Sequence, residues 1–207
     1  MFIRHNPFLI IISSPSGAGK STLCHMIIQN DPLIKLSVSV TTRTKRANEI
    51  DKQHYHFVSR EEFDLMKKND EFLEDATVFE RSYGTPRNLV TSELKNDKCV
   101  LFDIDWQGAR QIREKFNSDE VVSIFILPPS MQELERRLSS RAQDPEEVVQ
   151  DRMTKARSEV SHFNEYDFVL INDDLNNSYQ KIRSIIEAKR VSRLNKVDLK
   201  QFVEKFF

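Results

Sequence analysis

From Phe8 to Ile12 the chain is continuously apolar and rich in β-branched residues, the pattern of a strand covered on both faces. Small, turn-forming residues follow from Ser13 to Gly19. Lys20 to Gln29 then places Leu23, Ile27 and Ile28 on one helical face, with Asn30, Asp31 and Pro32 as a stop. Leu36, Val38 and Val40 next alternate with Ser37, Ser39 and Thr41, which predicts a half-exposed strand over 36–41 in an antiparallel sheet. Segments 54–58 and 72–79 read similarly. Between them Ser59 and Glu62 form a capping box ahead of a short helix with Phe63 and Met66 inward, and Thr85-Pro86 opens another helix.

The buried type of strand returns at 99–102 and 121–127, with a helix predicted over 107–116 between them. Ser130 with Glu133 caps a further helix, and Asp144, Pro145 and Glu147 start the next. A last short strand is expected at 168–171 and a helix over 177–193. The tail carries Phe202, Val203, Phe206 and Phe207, expected as a helix docked on the core or as a dimer seam. Buried strands alternating with helices imply an α/β fold with a parallel sheet, and ligands gather at the carboxyl ends of such strands. Residues 37–90 read as a small mixed insertion. Repeats, low-complexity tracts and a flexible linker are not apparent.

Composition narrows the partners. In 207 residues, 31 Lys plus Arg balance 32 Asp plus Glu, so no global field recruits nucleic acid or an anionic membrane. Anion binding must come from local groups. The two cysteines, Cys24 and Cys99, lack metal or redox spacing and read as core thiols in a reducing compartment. No signal-peptide pattern and no membrane-length apolar run is present, and a cytoplasmic protein is expected.

The candidate chemistry begins at Ser14-Pro15-Ser16-Gly17-Ala18-Gly19-Lys20-Ser21, a phosphate-binding loop with Ser14 in place of the usual first glycine. Glycines let backbone N–H groups converge on a phosphate, and a helix N-terminus adds partial positive charge. Lys20 would neutralise β- and γ-phosphate oxygens, and the Ser21 hydroxyl would ligate Mg²⁺. An ordinary Gly/Ser turn has a similar composition; the buried strand before it and the helix after it favour the loop. Val100-Leu101-Phe102-Asp103 would deliver a carboxylate beside the metal, with Asp105 two residues on pointing the same way, although paired carboxylates of surface charge look the same without the loop. In Thr41-Thr42-Arg43-Thr44-Lys45-Arg46, Arg43 and Arg46 have the fork geometry to grip one phosphate, although a solvated basic turn looks the same. His54 and His56 alternate on one strand, with no third metal ligand nearby.

With these stretches stand Phe72-Leu73-Glu74, Tyr83-Gly84-Thr85, Asp103-Ile104-Asp105-Trp106-Gln107-Gly108, Ile126-Leu127-Pro128-Pro129-Ser130 and Asn172-Asp173-Asp174. In this order, over nearly the whole chain, they resemble the guanylate kinases. The resemblance implies a P-loop nucleoside-monophosphate-kinase fold: a parallel-sheet core with helices on both faces, a mixed β GMP-binding insertion at 37–90 and a helical lid at 137–157, the core being 1–36, 91–136 and 158–207. It implies Mg²⁺-dependent transfer of a phosphoryl group from ATP to GMP by a monomer or homodimer, with no nucleic-acid or membrane partner.

By the same resemblance, ATP would meet Ser14, Pro15, Ser16, Gly17, Ala18, Gly19, Lys20, Ser21 and Thr22, with Arg137, Arg141 and Asn172, the last at adenine. Arg43, Arg46, Tyr55 and Tyr83 would hold the GMP phosphate; Ser39, Glu74, Thr85 and Asp105 would meet guanine, and Asp103 would lie near Mg²⁺ and its waters. Lys20, Arg43, Arg137, Arg141 and Arg152 would carry catalysis. Ser14, Asn48, Arg81-Ser82 and Ala142 depart from the family pattern without removing a charge that the mechanism needs. Related modules in scaffold proteins keep the fold as phosphopeptide-binding surfaces but have degraded loops, whereas Lys20 and Ser21 are present here.

Overall fold

The computed structural model describes residues 5–46, 49–78, 80–140, 146–195 and 199–207. In chain order the elements are β1 (Leu9–Ser13), α1 (Lys20–Asn30), β2 (Ile34–Leu36), β3 (Val40–Thr41), β4 (His56–Phe57), α2 (Arg60–Lys68), β5 (Phe72–Val78), β6 (Arg81–Pro86) and α3 (Arg87–Lys95). Then come β7 (Cys99–Asp103), α4 (Trp106–Lys115), β8 (Val121–Leu127), α5 (Met131–Ser140), α6 (Glu146–Val160), β9 (Phe168–Ile171), α7 (Leu175–Val191) and α8 (Leu199–Val203).

The five-stranded sheet has the order β2-β7-β1-β8-β9 and is parallel throughout. Alternation along β1 explains its unbroken apolar run. Phe8, Ile10 and Ile12 face Leu23 and Ile27 of α1 with Ile182 and Ile186 of α7, whereas Leu9 and Ile11 face the cluster holding Val90 of α3 and Ala109 and Ile112 of α4. With helices on both faces, a polar side chain at either parity would lie unpartnered in the core. The register pairs Ile12 with Asp103, so the segments leaving β1 and β7 emerge side by side.

A second, four-stranded sheet has the order β4-β3-β6-β5. It is mixed, because β3 runs parallel to β4 and antiparallel to β6. Its small core joins Val40, Phe63 and Phe72. The Phe63 and Phe72 rings lie 4.7 Å apart, and the Ser59–Glu62 capping box orients α2 beneath them.

Four expectations change. The single strand at 36–41 is two strands in different sheets: Leu36 pairs with β7 while Val40 and Thr41 pair with β6 and β4. An extended chain keeps its alternation while it crosses between sheets, so the pattern does not mark the break. Second, β6 has little apolar content and was not expected; it is held from both sides, by β5 and β3. Third, β9 is the sheet edge and mostly exposed, and the helix after it starts at Leu175, where Asp174 accepts the Asn177 N–H at 2.8 Å. Fourth, the tail aromatics do not sink into the core: Phe206 and Phe207 are exposed, and Phe206 meets Phe202 edge-on at 5.3 Å. The start of α6 at Asp144 and Pro145 lies outside the described residues. No helix among the described residues is long and apolar enough to cross a membrane.

Candidate active site

The loop between β1 and α1 turns on two glycines. Gly17 and Gly19 have φ of +92° and +98°, a region costly for residues with a Cβ. At Gly19 space also forbids a side chain, because a Cβ would stand 2.4 Å from Asn172 Nδ2. That amide donates to the Ala18 carbonyl at 2.7 Å, while the Asn172 carbonyl accepts from Arg137 Nη2 at 3.3 Å. Asn172 therefore pins the loop from behind. Glu133 in turn accepts from Arg136 and Arg137, and the two guanidiniums hold its carboxyl down to about 2. The loop lies at the N-terminus of α1, where amides and helix dipole favour an anion. In the protein itself, the Ser16 amide donates to the Glu159 carboxylate of α6 at 3.2 Å.

The first residues of α1 meet the end of β7. Lys20 pairs with Asp103 Oδ1 and reaches the Ile104 carbonyl at 3.4 Å, and the Ser21 hydroxyl donates to Asp103 Oδ2 at 2.8 Å. Burial works against the Lys20 charge, but the Asp103 charge and hydrogen bond outweigh it and raise the ammonium above its ordinary range. A hydroxyl and a carboxylate oxygen converging here are the hard donors that Mg²⁺ takes alongside phosphate oxygens and water.

One cavity of about 320 Å³ opens between this loop and the second sheet. Its core-side wall includes Ser14 to Gly17, Gly19 to Thr22, Asp103, Ile104, Asp105 and Glu159; its other wall includes Ser39, Tyr55, Glu74, Ala76, Val78 and Tyr83. Glu74 is 3 % exposed and receives the Thr85 hydroxyl at 2.6 Å. Burial pushes its carboxyl up to about 7 against the pull of Thr85. Gly108 makes room for it, since a Cβ there would lie 2.4 Å from Glu74 Oε2. Asp105 caps α4, accepting the Gln107 and Gly108 amides at 3.1 Å.

Arg43 is held in a two-point ion pair with Glu49, at 3.0 and 2.6 Å. Its guanidinium lies 5.3 Å from the Tyr55 ring centre and 5.7 Å from that of Phe57. Glu49 also accepts the Arg46 amide at 2.8 Å, and its carboxyl is held below its usual range, first by Arg43. Tyr55 and Tyr83 meet edge-on, 5.9 Å apart.

The fold thus brings most of the expected loop residues together with Ser39, Tyr55, Glu74, Tyr83, Asp103 and Asp105 around one cavity. Arg43 and Arg46 lie outside its wall, Thr85 stands behind Glu74, and Arg137 and Asn172 sit behind the loop. Arg152 is half-buried on α6, while Arg141, Ala142 and Asn48 lie outside the described residues. Sequence reasoning missed Glu49 and Glu159, and read Glu133 as a helix cap without its pairing to Arg136 and Arg137. Glu49 lies only three residues beyond Arg46 and was readable as a carboxylate beside a basic turn; Glu159 had no local signal. Trp106 stacks on His162 at 3.8 Å, beside the site rather than within it, and His54 Nδ1 accepts the Ile50 amide at 3.0 Å.

A phosphate loop at the head of a parallel sheet, facing a second sheet across a shared cavity, defines a P-loop protein built to bring two ligands together. A guanylate kinase family model matches residues 6–189. Guanylate kinases of Rhizobium etli and Paramagnetospirillum magneticum are 47 % and 49 % identical to the chain over 201 residues, covering 97 % of it and 91 % and 94 % of their own lengths. The crystal structure of guanylate kinase from Anaplasma phagocytophilum superposes with a TM-score of 0.83 at 35 % identity, covering 98 % of this chain and 96 % of that one. The chain belongs to the guanylate kinase family.

The loop geometry yields a test. Gly19→Ala combines a left-handed φ with a Cβ 2.4 Å from Asn172 Nδ2, so it is expected to break the Asn172–Ala18 contact and destabilise the protein by about 1–3 kcal/mol or more. Urea unfolding measures this; an unchanged midpoint would show that the loop does not need Gly19.

Proposed function

We propose that this chain transfers the γ-phosphoryl group of ATP to GMP, giving ADP and GDP. The observation that carries the reading is the single cavity with a phosphate loop on one wall and buried Glu74 on the other. Guanine presents two adjacent donors, N1–H and the 2-amino group, and an ionised carboxylate accepts both. Adenine has an acceptor at N1 and lacks the 2-amino group, so it leaves Glu74 unpaired and repelled. Ser39, Thr85 and Asp105 complete the base site in this reading, and Tyr55, Tyr83, Arg43 and Arg46 take the monophosphate.

Transfer needs no covalent protein nucleophile, because a phosphate oxygen of GMP attacks the γ-phosphorus directly. What the chain contributes is position and charge. Loop amides and Lys20 gather the donor phosphates, and Arg43 and Arg46 hold the acceptor against electrostatic repulsion between the two anions. Arg137 on α5 and Arg152 on α6 supply positive charge, joined, by the family resemblance, by Arg141. Ser21 and Asp103 would hold Mg²⁺, the latter through water; when bound, the ion neutralises charge on the donor's β- and γ-oxygens. Residues 37–90 and 137–157 close on the cavity in this scheme, excluding water that would otherwise receive the phosphoryl group.

A coupled assay of ADP formation with GMP, dGMP, AMP, UMP and IMP tests the reading. GMP should be the best acceptor, dGMP accepted and AMP poor; AMP equal to GMP would defeat the role given to Glu74. Acidity tests the same group. The carboxyl must be ionised to receive guanine, and its value is about 7, so GMP affinity rises with pH through neutrality and levels above it. GMP should bind about tenfold more weakly at pH 6 than at pH 8, and Glu74→Gln should bind weakly with a much smaller ratio. Equal ratios in the two proteins would assign the pH effect elsewhere. For folding stability the sign reverses, because the buried charge costs stability as pH rises from 4.5 to about 7. Lys20→Ala should lower turnover about 10²–10³-fold or more with the circular dichroism spectrum retained. Unchanged turnover would remove Lys20 from the mechanism.

A further inference from the structure

Glu159 stands in the donor wall of the cavity without a part in the transfer just described. It projects from the last turns of α6, and its Oε2 accepts the amide of Ser16 at 3.2 Å. That N–H belongs to the loop whose amides are expected to converge on phosphate. A carboxylate oxygen in that position resembles a phosphate oxygen in charge and hydrogen-bonding capacity.

The surroundings fit a displaceable contact rather than a permanent tie. The charged groups around Glu159 are Lys20 from α1, Asp103 at the end of β7, Asp105 at the head of α4, and Lys155 on its own helix. Lys20 is already committed to Asp103, and Asp105 repels. Burial raises the Glu159 carboxyl above its ordinary value, against the Ser16 amide and Lys20. Its ionised form is thus held by the Ser16 amide, by Lys20, which it shares with Asp103, and more weakly by Lys155, in a cavity where several further negative charges would arrive with a triphosphate.

We infer that Glu159 is a determinant of donor affinity, an internal carboxylate that takes the Ser16 amide and is displaced when the donor's phosphates bind there. The inference rests on the reading of the loop as the ATP site. Displacement has two energetic components: the lost Ser16–Glu159 bond and repulsion between the carboxylate and the arriving phosphates. Both oppose donor binding and neither touches the acceptor.

The experiment is a calorimetric titration of a non-hydrolysable ATP analogue and, separately, of GMP into the wild-type protein, Glu159→Gln and Glu159→Ala. At pH 8 both variants should bind the analogue about tenfold more tightly than the wild type, with GMP affinity unchanged within about twofold. The gap should narrow as pH is lowered and the wild-type carboxyl becomes neutral. Analogue binding in Glu159→Gln that equals or falls below the wild type at pH 8 would overturn the inference and make the contact a support for the loop. Glu159→Gln keeps the shape and decides the matter if the alanine variant fails to fold. A wild-type protein that binds GMP but not the analogue would overturn the ATP-site reading itself, and the inference with it.

Discussion

The ion pair between Lys20 and Asp103 is the constraint on which the donor wall depends. It joins the first turn of α1 to the end of β7 and, with the Ser21–Asp103 hydrogen bond, fixes the spacing between the phosphate loop and the neighbouring strand end. The pair forms because β1 and β7 are adjacent and parallel with Ile12 opposite Asp103. That adjacency needs β1 to be apolar on both faces, since helices cover each side of the sheet. A core requirement, met by Leu9 to Ile12, thus sets the position of the Lys20 ammonium. Removing one partner would leave the other charge partly buried and unpaired, a far larger penalty than losing an exposed pair.

The groups proposed to bind anions are repeatedly satisfied by the chain's own carboxylates. Asp103 holds Lys20, Glu49 holds the Arg43 fork, and Glu159 holds the Ser16 amide. Glu49 does more than neutralise: by also accepting the Arg46 amide it folds the basic turn around the guanidinium. The tyrosine and phenylalanine rings beneath Arg43 then restrict the plane in which that guanidinium lies. An oriented cation loses less rotamer freedom when a phosphate arrives, which favours two-point recognition over simple charge attraction.

How much was legible in sequence follows from the range of each interaction. The loop at 14–21 was readable because its function depends on consecutive residues: a buried strand, two glycines in a left-handed conformation, then a lysine and serine opening a helix. Asp103 was readable as the end of an apolar strand. Glu74 was not distinguishable from other carboxylates by pattern, and only the family resemblance singled it out. What marks it physically is burial against Gly108 and the hydroxyl of Thr85, contacts supplied by α4 and by a strand that pattern did not reveal. The Asn172–Ala18 and Ser16–Glu159 contacts span 154 and 143 residues, and nothing local at either end announces the other. Residues 36–41 fail for the opposite reason: the local signal is correct for extended chain but silent on which sheet each half joins.

Selectivity and charge management meet in Glu74. The role proposed for Glu74 needs an ionised carboxylate, yet burial is unfavourable enough to raise its value to about 7. Thr85 donates to one oxygen, while the other lies against the close backbone of Gly108. Asp75 and Asp105 add negative charge nearby, so the ionised form is held without a direct countercation, although the Lys115 charge moderates it. A lysine or arginine placed beside Glu74 would stabilise the ion, but it would also consume the acceptor capacity that a purine with two adjacent donors requires. In the proposed role the raised carboxyl is the consequence of keeping its lone pairs available, and the same burial that raises its pKa would make an ill-matched base costly.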